Sequence, residues 1–215
     1  MPGLPRLAGL FHFTLSTLPR GLPPALLVAL LPYVAAPPAA AKPSNRAERS
    51  AVEARLRAYE LPGTPAEWRS LGAGVEDVLV SIGGDAKVDV LIRARAVSVL
   101  GYLPAPASRR FLEETIDAKA AAASTAADRL LLRKAAVALG WMGGLTVPGR
   151  LGPLLDNPDS DVRLDAAIGL GLTRLAAAAD LLLKRFDVEP VARVRSQIGR
   201  QLKVVEDALA AIRGP

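Results

Sequence analysis

Apolar residues recur at intervals of three and four along most of the chain, the spacing that places them on one face of an α-helix. Four segments share one arrangement when they are aligned on Leu100, Leu139, Leu170 and Leu202. Each has an apolar residue eight positions before its leucine, and mostly small residues four and three positions before it. We expect the apolar rows to be buried and the small residues to let a neighbouring helix approach closely. The residues at these positions are Ile92, Ala96 and Val97; Leu131, Ala135 and Ala136; Val162, Ala166 and Ala167; and Val194, Ile198 and Gly199.

A shorter apolar segment with helical spacing precedes each of the four. The first is predicted as one helix from Thr64 to Gly84, with Trp68 in its buried stripe. A pair of helices cannot bury its apolar faces alone, whereas stacked pairs can. No stretch alternates convincingly between apolar and polar residues, so we expect essentially no sheet. The sequence predicts an all-α fold, a right-handed α-solenoid of four helical hairpins, with an insertion at 117–128.

The predicted repeat domain, 64–215, begins with a capping box. Thr64 is the expected N-cap, with Pro65 at the first helical position and Glu67 at the third. The preceding residues, 42–63, are predicted as a linker and a capping helix over 45–60 that closes the front of the stack. The apolar residues of this helix are spaced i, i+4 and i+7 and so share one face: Val52, Leu56 and Tyr59.

The N-terminal segment has the pattern of a secretory signal peptide. Arg6 and Arg20 precede an apolar run at 25–36, which is shorter than the roughly 20 residues that a spanning helix needs. Alanines at 39–41 give the small residues expected before a cleavage site. We therefore predict that residues 1–41 are a signal peptide cleaved after Ala41, leaving a secreted or periplasmic protein without a membrane span. An uncleaved N-terminal anchor is the alternative.

Composition excludes several kinds of catalytic chemistry. The chain has no cysteine, and its one histidine, His12, lies in the segment predicted to be cleaved. A Ser-His-Asp triad and His-ligated zinc would therefore be missing from the mature protein. Catalysis by carboxylates or lysine stays open, but with the usual catalytic groups missing we expect no enzyme, cofactor or metal site. The formal net charge is +6, with a mild basic excess at the C-terminal end. Dedicated nucleic-acid binders usually have a stronger basic face, so no nucleic acid is expected as a partner.

Four aspartates crowd the stretch "DNPDSDVRLDAAIGLG", residues 156–171, as they would in a calcium loop. Aligned on an EF-hand, however, the required glycine position holds Val162 and the closing acid position holds Ile168. The same residues suit the start of a helix, with Asp159 as N-cap and Asp161 in the first turn. We predict a bend and a helix start there.

Arginine recurs at one helical position, in Arg93, Arg163 and Arg195. These side chains could form a row of donors for a partner's carboxylate or phosphate. They could instead tie the units together, and this interpretation is favoured because arginines that recur in solenoids commonly link units. The acids expected as their partners are those at neighbouring bends, such as Asp85, Asp159 or Asp161.

Three further residues are candidates for a partner surface. Trp141 follows a helix end, where an exposed indole would anchor a partner, although burial between units is favoured because large aromatic side chains are mostly buried. Arg109 and Arg110 could contact an acidic partner, although a solvated helix face is the usual place for such charges. The candidate partner surface or inter-repeat ladder thus comprises Arg93, Arg163, Arg195, Trp141, Arg109 and Arg110.

The third unit, "LLDNPDSDVRLDAAIGLGLT", resembles the HEAT-like repeats first named for phycobilisome lyases. Their pattern is an apolar helix, an Asp-Pro-rich bend, then Val-Arg, two alanines and Leu-Gly. The other units keep parts of it, with Leu132 in place of the arginine in the second and no alanine pair in the fourth. The resemblance covers roughly 64–212 and implies a HEAT/armadillo-type superhelix. The matching residues are Leu154, Leu155, Asp156, Pro158, Asp159, Val162, Arg163, Ala166, Ala167, Leu170 and Gly171.

Function follows only loosely from such a scaffold, because function lies in sites and not in folds. We expect a non-enzymatic scaffold, secreted or periplasmic, that binds a protein or peptide on an extended surface. One alternative is an enzyme or enzyme subunit, by resemblance to the bilin lyases. Another is nucleic-acid binding through the basic C-terminal repeat.

Overall fold

A computed structural model describes residues 46–61, 64–121 and 125–213, which belong to one structural unit, Pro43–Pro215. Within these ranges the fold is all-α, as predicted, and the only β-type pairing is an isolated bridge between Arg46 and Ala73. The helices are α1 (Arg49–Arg57), α2 (Pro65–Arg69), α3 (Val75–Gly84), α4 (Val90–Leu100), α5 (Pro106–Ala120), α6 (Ala126–Met142), α7 (Val147–Leu151), α8 (Ser160–Thr173), α9 (Ala176–Val188) and α10 (Ala192–Arg213), with a 3₁₀ turn at Gly152–Asp156.

The four aligned segments form α4, α6, α8 and α10, which contact one another in chain order. We call them the second-helix row. Each packs against the helix that precedes it: α4 on α3, α6 on α5, α8 on α7 and the 3₁₀ turn, and α10 on α9. The short helix α1 packs on α3 and α4. The described residues therefore consist of consecutive helical hairpins, with the core between the two helices of each hairpin and between neighbouring hairpins.

Small residues set the close approach within the second-helix row. Ala96, Ala135 and Ala166 are fully buried. A Cβ atom placed on Gly169 would lie 2.5 Å from the carbonyl oxygen of Ala136, and one placed on Gly140 would overlap the backbone of Gly169. Helices α6 and α8 can therefore touch backbone to backbone only because these positions lack side chains.

Local signals for helix starts are confirmed. The Thr64 hydroxyl accepts a hydrogen bond from the Glu67 backbone N–H at 3.3 Å, and the Glu67 carboxylate accepts one from the Thr64 backbone N–H at 3.0 Å. The Asp159 carboxylate caps α8 by accepting hydrogen bonds from the backbone N–H groups of Asp161 (2.8 Å) and Val162 (3.2 Å). The aspartate-rich stretch is thus a bend and a capped helix start, as predicted.

The helix predicted from Thr64 to Gly84 is instead two helices, α2 and α3. They are separated at Gly72 and Gly74, whose φ angles are +127° and +75°. Residues other than glycine rarely adopt such φ angles, and an α-helix requires negative φ, so the helix cannot continue through these two positions. A Cβ on Gly72 would also lie 2.5 Å from the backbone nitrogen of Ala47. The break thus lets the residues before α1 lie against this turn. Trp68 of α2 is fully buried, as predicted.

The predictions for the capping helix, the insertion at 117–128 and the signal peptide have different outcomes. The capping helix is shorter than predicted and ends at Arg57, so Tyr59, which was predicted within it, lies beyond it and is 95% exposed. Most of the described residues of the predicted insertion extend the two neighbouring helices: α5 continues to Ala120 and α6 begins at Ala126. The predicted signal peptide and its cleavage after Ala41 lie outside the described residues. Among the described helices, none combines the length and apolarity required to span a membrane.

Candidate functional site

The helices of the second-helix row also share a set of equivalent positions that face solvent, in contrast to the buried set. These positions are found by counting from the aligned leucines. They lie nine, five and two residues before each leucine and two residues after it. All of them are exposed or half-buried except Asp165. We call these positions the row face: Leu91, Arg95, Ser98 and Tyr102 of or just after α4; Leu130, Lys134, Val137 and Trp141 of α6; Asp161, Asp165, Ile168 and Leu172 of α8; and Arg193, Gln197, Arg200 and Val204 of α10.

A groove of about 530 Å³ lies on the row face between α4 and α6. Its apolar lining includes Leu61, Leu91 and Leu130, and the Leu91 side chain is left 62% exposed. An exposed leucine on a helix is common, but one that lines a groove with two other leucines gives an apolar surface that a partner could cover. The remaining lining residues are Arg57, Asp89, Ile92, Ala94, Arg95, Ser98 and Lys134.

Positive charge predominates in this groove. Arg95 donates to the backbone carbonyls of Leu56 and Ala58, both at 2.6 Å, and this fixes its guanidinium at the C-terminal end of α1. Carbonyl groups carry no formal charge, so Arg95 keeps its net positive charge there. Lys134 makes no hydrogen bond or ion pair with any residue that the structure describes. We name Arg57, Arg95 and Lys134 the groove cations.

Asp89 is the one carboxylate among the described residues that line the groove. It is the N-cap of α4, and it accepts hydrogen bonds from the backbone N–H groups of Leu91 (2.8 Å) and Ile92 (3.4 Å). Its charge is thus directed at the helix start, where the macrodipole stabilises it. The groove is left with a net positive charge.

An aromatic pair lies on the same face. The rings of Tyr102 and Trp141 have centroids 5.5 Å apart and are tilted by 48°, within the range of favourable aromatic pairs. Trp141 is 51% exposed, so the favoured expectation that it is buried between units is wrong. The reason is its register: Trp141 occupies the same row-face position on α6 as Tyr102 does after α4, and both rings therefore lie on the solvent side.

Ion pairs neutralise part of the charge on the α8 and α10 half of the row face. Arg133 of α6 donates to Asp165 at 2.9 Å and to Asp161 at 3.0 Å, and Arg193 of α10 also pairs with Asp161. The hydrogen bond from Arg193 is the main reason that the pKa of Asp161 is lowered, with burial opposing it. These pairs link α6, α8 and α10 and satisfy both row-face carboxylates of α8. Arg200 of α10 donates to the Gln197 side chain at 3.0 Å and therefore keeps its positive charge.

The recurring arginines are directed at the bends before their own helices. Arg93 donates to the Gly83 carbonyl at 3.1 Å, Arg163 to the Asn157 carbonyl at 2.9 Å, and Arg195 to the Glu189 carbonyl at 2.8 Å. None of the three is on the row face. The acids that were expected as their hydrogen-bond partners bind other arginines: Asp85 pairs with Arg49, Asp159 with Arg129, and Asp161 with Arg133 and Arg193.

Arg163 is further held by Glu189, an acid that the sequence did not single out. Glu189 is fully buried, and hydrogen bonds from Arg163 lower its pKa to about 2, with burial opposing the shift. Arg185 donates to the same carboxylate at 2.9 Å. Arg163 lies on α8 of the third hairpin, and Glu189 lies in the bend between α9 and α10 of the fourth. This cluster therefore links the two hairpins. An acid directly before a predicted helix is the one signal that could have indicated it.

Arg109 and Arg110 differ in their surroundings. Arg109 donates to the Gly143 carbonyl at 2.8 Å and so closes the C-terminal end of α6 near Trp141. Arg110 is exposed. The structure therefore brings Trp141 and Arg109 close to one helix end, whereas Arg93, Arg163 and Arg195 lie at the hairpin bends.

Comparison of the chain with known protein families finds no matching family model, and comparison with curated proteins finds no match. The row face, its groove and its aromatic pair are therefore the features of this protein that bear on its function.

Proposed function

We propose that this protein is a non-enzymatic interaction scaffold that acts outside the cytoplasm and receives a protein or peptide partner on the row face. The observation that carries the proposal is the shared register of the exposed positions on α4, α6, α8 and α10. A surface built from equivalent positions of successive hairpins is the kind of extended binding surface that repeat proteins use. On this surface the groove and the aromatic pair supply the apolar contacts on which affinity depends.

The proposed architecture is a short right-handed α-solenoid of four HEAT-like hairpins. Its support is the order of contacts, in which each second helix touches the next and each hairpin packs mainly on its neighbours. The arginine-to-bend hydrogen bonds of three hairpins give a further repeated element. The first hairpin is covered by α1, which packs on α3 and α4, and the fourth hairpin ends in the long helix α10.

Location outside the cytoplasm is supported by the sequence pattern of residues 1–41. A charged start, a short apolar run and small residues before Lys42 are the parts of a signal peptide. The test is fractionation of the producing cell, with sequencing of the mature N-terminus. Recovery outside the cytoplasm with Lys42 as first residue is expected, and a cytoplasmic protein that retains Met1 contradicts this part of the proposal.

Nucleic-acid binding through the C-terminal hairpin draws little support from its contacts. Arg193 pairs with Asp161, and Lys203 pairs with Asp207 at 3.2 Å. Part of the basic excess of α10 is thus already neutralised, whereas nucleic-acid affinity requires several cations that can reach phosphates. A filter-binding assay at low salt is expected to show no retained DNA.

Photo-crosslinking in the intact producing cell tests the binding function. A photoreactive residue replaces Tyr102 in one variant and Ala177, an exposed residue of α9 away from the row face, in the control. We expect one discrete protein adduct from position 102 and none from position 177. Equal adducts from both positions, or none from either, would contradict the scaffold function.

A further inference from the structure

We infer that the groove between α4 and α6 binds an acidic peptide segment that also carries an apolar anchor. This inference rests on the proposed scaffold function and gives its partner a chemistry. The groove is the part of the row face where apolar lining and unneutralised positive charge occur together, at Leu91 and Lys134. A peptide that is only apolar would leave the charges without partners, and a basic peptide would be repelled by them.

Two further grooves on the described residues differ in how their cations are paired. The groove of about 260 Å³ beside α5 contains Lys119, which pairs with Asp128, and Arg93, which donates to the Gly83 carbonyl. The groove of about 470 Å³ beside α7 contains Arg150, which donates to Asp117 at 2.5 Å. The fold itself thus supplies a carboxylate for Lys119 and for Arg150. In the α4–α6 groove Arg57 is held only loosely, with Glu53 at 3.6 Å, and Lys134 has no carboxylate among the described residues.

The register sets the spacing that a bound segment should have. Lys134 and Trp141 lie on one face of α6, seven residues apart, which is about 10 Å along the helix axis. An extended peptide covers that distance in about three residues. A segment with a carboxylate on Lys134 would therefore place an apolar or aromatic side chain on the Tyr102–Trp141 pair about three residues away.

Selection from a displayed library of random 12-residue peptides on the purified protein tests this inference. We expect enriched sequences to contain aspartate or glutamate about three residues from an aromatic or large aliphatic residue. The enriched peptide is then measured by fluorescence anisotropy against Lys134→Glu, Lys134→Arg and the matched control Lys184→Glu, whose lysine is exposed on α9 outside the groove. Thermal unfolding confirms that each variant folds.

Reversal of the charge should weaken binding of the enriched peptide by about tenfold or more, which is about 1.4 kcal/mol. Lys134→Arg and Lys184→Glu should stay within about twofold of the parent protein, because charge in the groove is kept in both. A peptide in which lysine replaces the acid should prefer the Lys134→Glu variant over the parent. The affinity of the acidic peptide should also fall as salt rises, since the contact is partly exposed.

Two results would overturn the inference: enriched peptides without acids, or binding that Lys134→Glu leaves unchanged. Neither would contradict the scaffold function, because crosslinking at position 102 reports that function separately. If no peptide is enriched while the crosslink forms, the acidic-peptide chemistry is wrong and the scaffold stands. If crosslinking and selection both fail, both proposals are wrong.

Discussion

Arg163 and Glu189 form a two-point ion pair inside the protein, with Nε donating to one carboxylate oxygen at 2.9 Å and Nη2 to the other at 2.7 Å. The two side chains are only 7% and 0% exposed. The remaining N–H groups of Arg163 reach backbone carbonyls of the bend before α8, so its donors are largely satisfied. Among the described residues, this is the most buried ion pair between the third and fourth hairpins.

Glu189→Gln should lower the free energy of unfolding by about 3–5 kcal/mol, because it leaves the buried guanidinium of Arg163 without its counter-charge. Urea unfolding followed by circular dichroism measures the loss. The matched control is Asp207→Asn, which removes an acid from the exposed pair with Lys203, where the carboxylate is 65% exposed. That change should cost less than about 1 kcal/mol. Similar losses of unfolding free energy in the two variants would contradict the claim that burial makes the Glu189 ion pair more stabilising than an exposed one.

Stability should fall in acid partly through Glu189. Its pKa is about 2 in the folded protein, below the ordinary value of 4.5, so the unfolded chain binds more protons between these values. Its contribution is therefore fully present above about pH 5 and is lost as the pH falls toward 2. The difference in unfolding free energy between the parent and Glu189→Gln should narrow over this range. A difference that stays constant from pH 6 to pH 2.5 would contradict the assignment.

Gly140→Ala should destabilise the protein by about 1–3 kcal/mol or more, because the added methyl group overlaps the backbone of Gly169 and separates α6 from α8. Gly149→Ala is the control: it adds the same methyl group within α7, where nothing lies within 4 Å. It should be neutral or slightly stabilising, since alanine favours a helix over glycine. Thermal unfolding of the two variants decides the matter, and equal midpoints would mean that α6 and α8 do not touch as described.

The two tryptophans should differ in solvent access. Trp68 is fully buried and Trp141 is half exposed, so acrylamide should quench only part of the fluorescence efficiently. The Trp141→Phe variant should keep a blue-shifted emission that acrylamide quenches poorly. An emission in this variant that is red-shifted and readily quenched would place Trp68 in water and contradict the described core.

Removal of the helix cap should cost about 1 kcal/mol in Asp159→Ala, because the first backbone N–H groups of α8 lose their acceptor. Asp159→Asn keeps an acceptor but loses the charge that pairs with Arg129 at 3.0 Å. Asparagine is as good a cap as aspartate, so this variant should keep most of the stability. Chemical unfolding compares the two, and an asparagine variant as unstable as the alanine variant would assign the effect to the ion pair instead.

The features that the sequence predicted well depend on neighbours close in the chain. Caps at Thr64 and Asp159 involve residues three positions away or fewer, and burial of Ala135 follows from helical periodicity alone. The break at Gly72 was missed because apolar spacing continues through it, whereas the positive φ angles of Gly72 and Gly74 and the close approach of Ala47 are seen only in the structure. Glu189 was missed because its partner is remote in sequence.

The candidate site was predicted less well, for a related reason. The alignment that gives the buried positions also gives the exposed ones, yet the row face was not predicted from it. Arg93, Arg163 and Arg195 were expected to pair with acids at neighbouring bends. They donate to backbone carbonyls instead, and Arg163 also binds Glu189. Trp141 was assigned to the interior from its residue type, whereas its register with Tyr102 places it on the row face.

Oxidative footprinting of the protein with its crosslinked partner, once that partner is isolated, is the direct test of binding on the row face. Hydroxyl radicals modify exposed apolar and aromatic side chains, so Tyr102 and Trp141 report on the row face, and Leu183 of α9, which is 55% exposed, reports on the first helices. We predict that the partner protects Tyr102 and Trp141 from oxidation and leaves Leu183 unchanged. Unchanged oxidation of Tyr102 and Trp141, with protection confined to α9, would contradict binding on the row face.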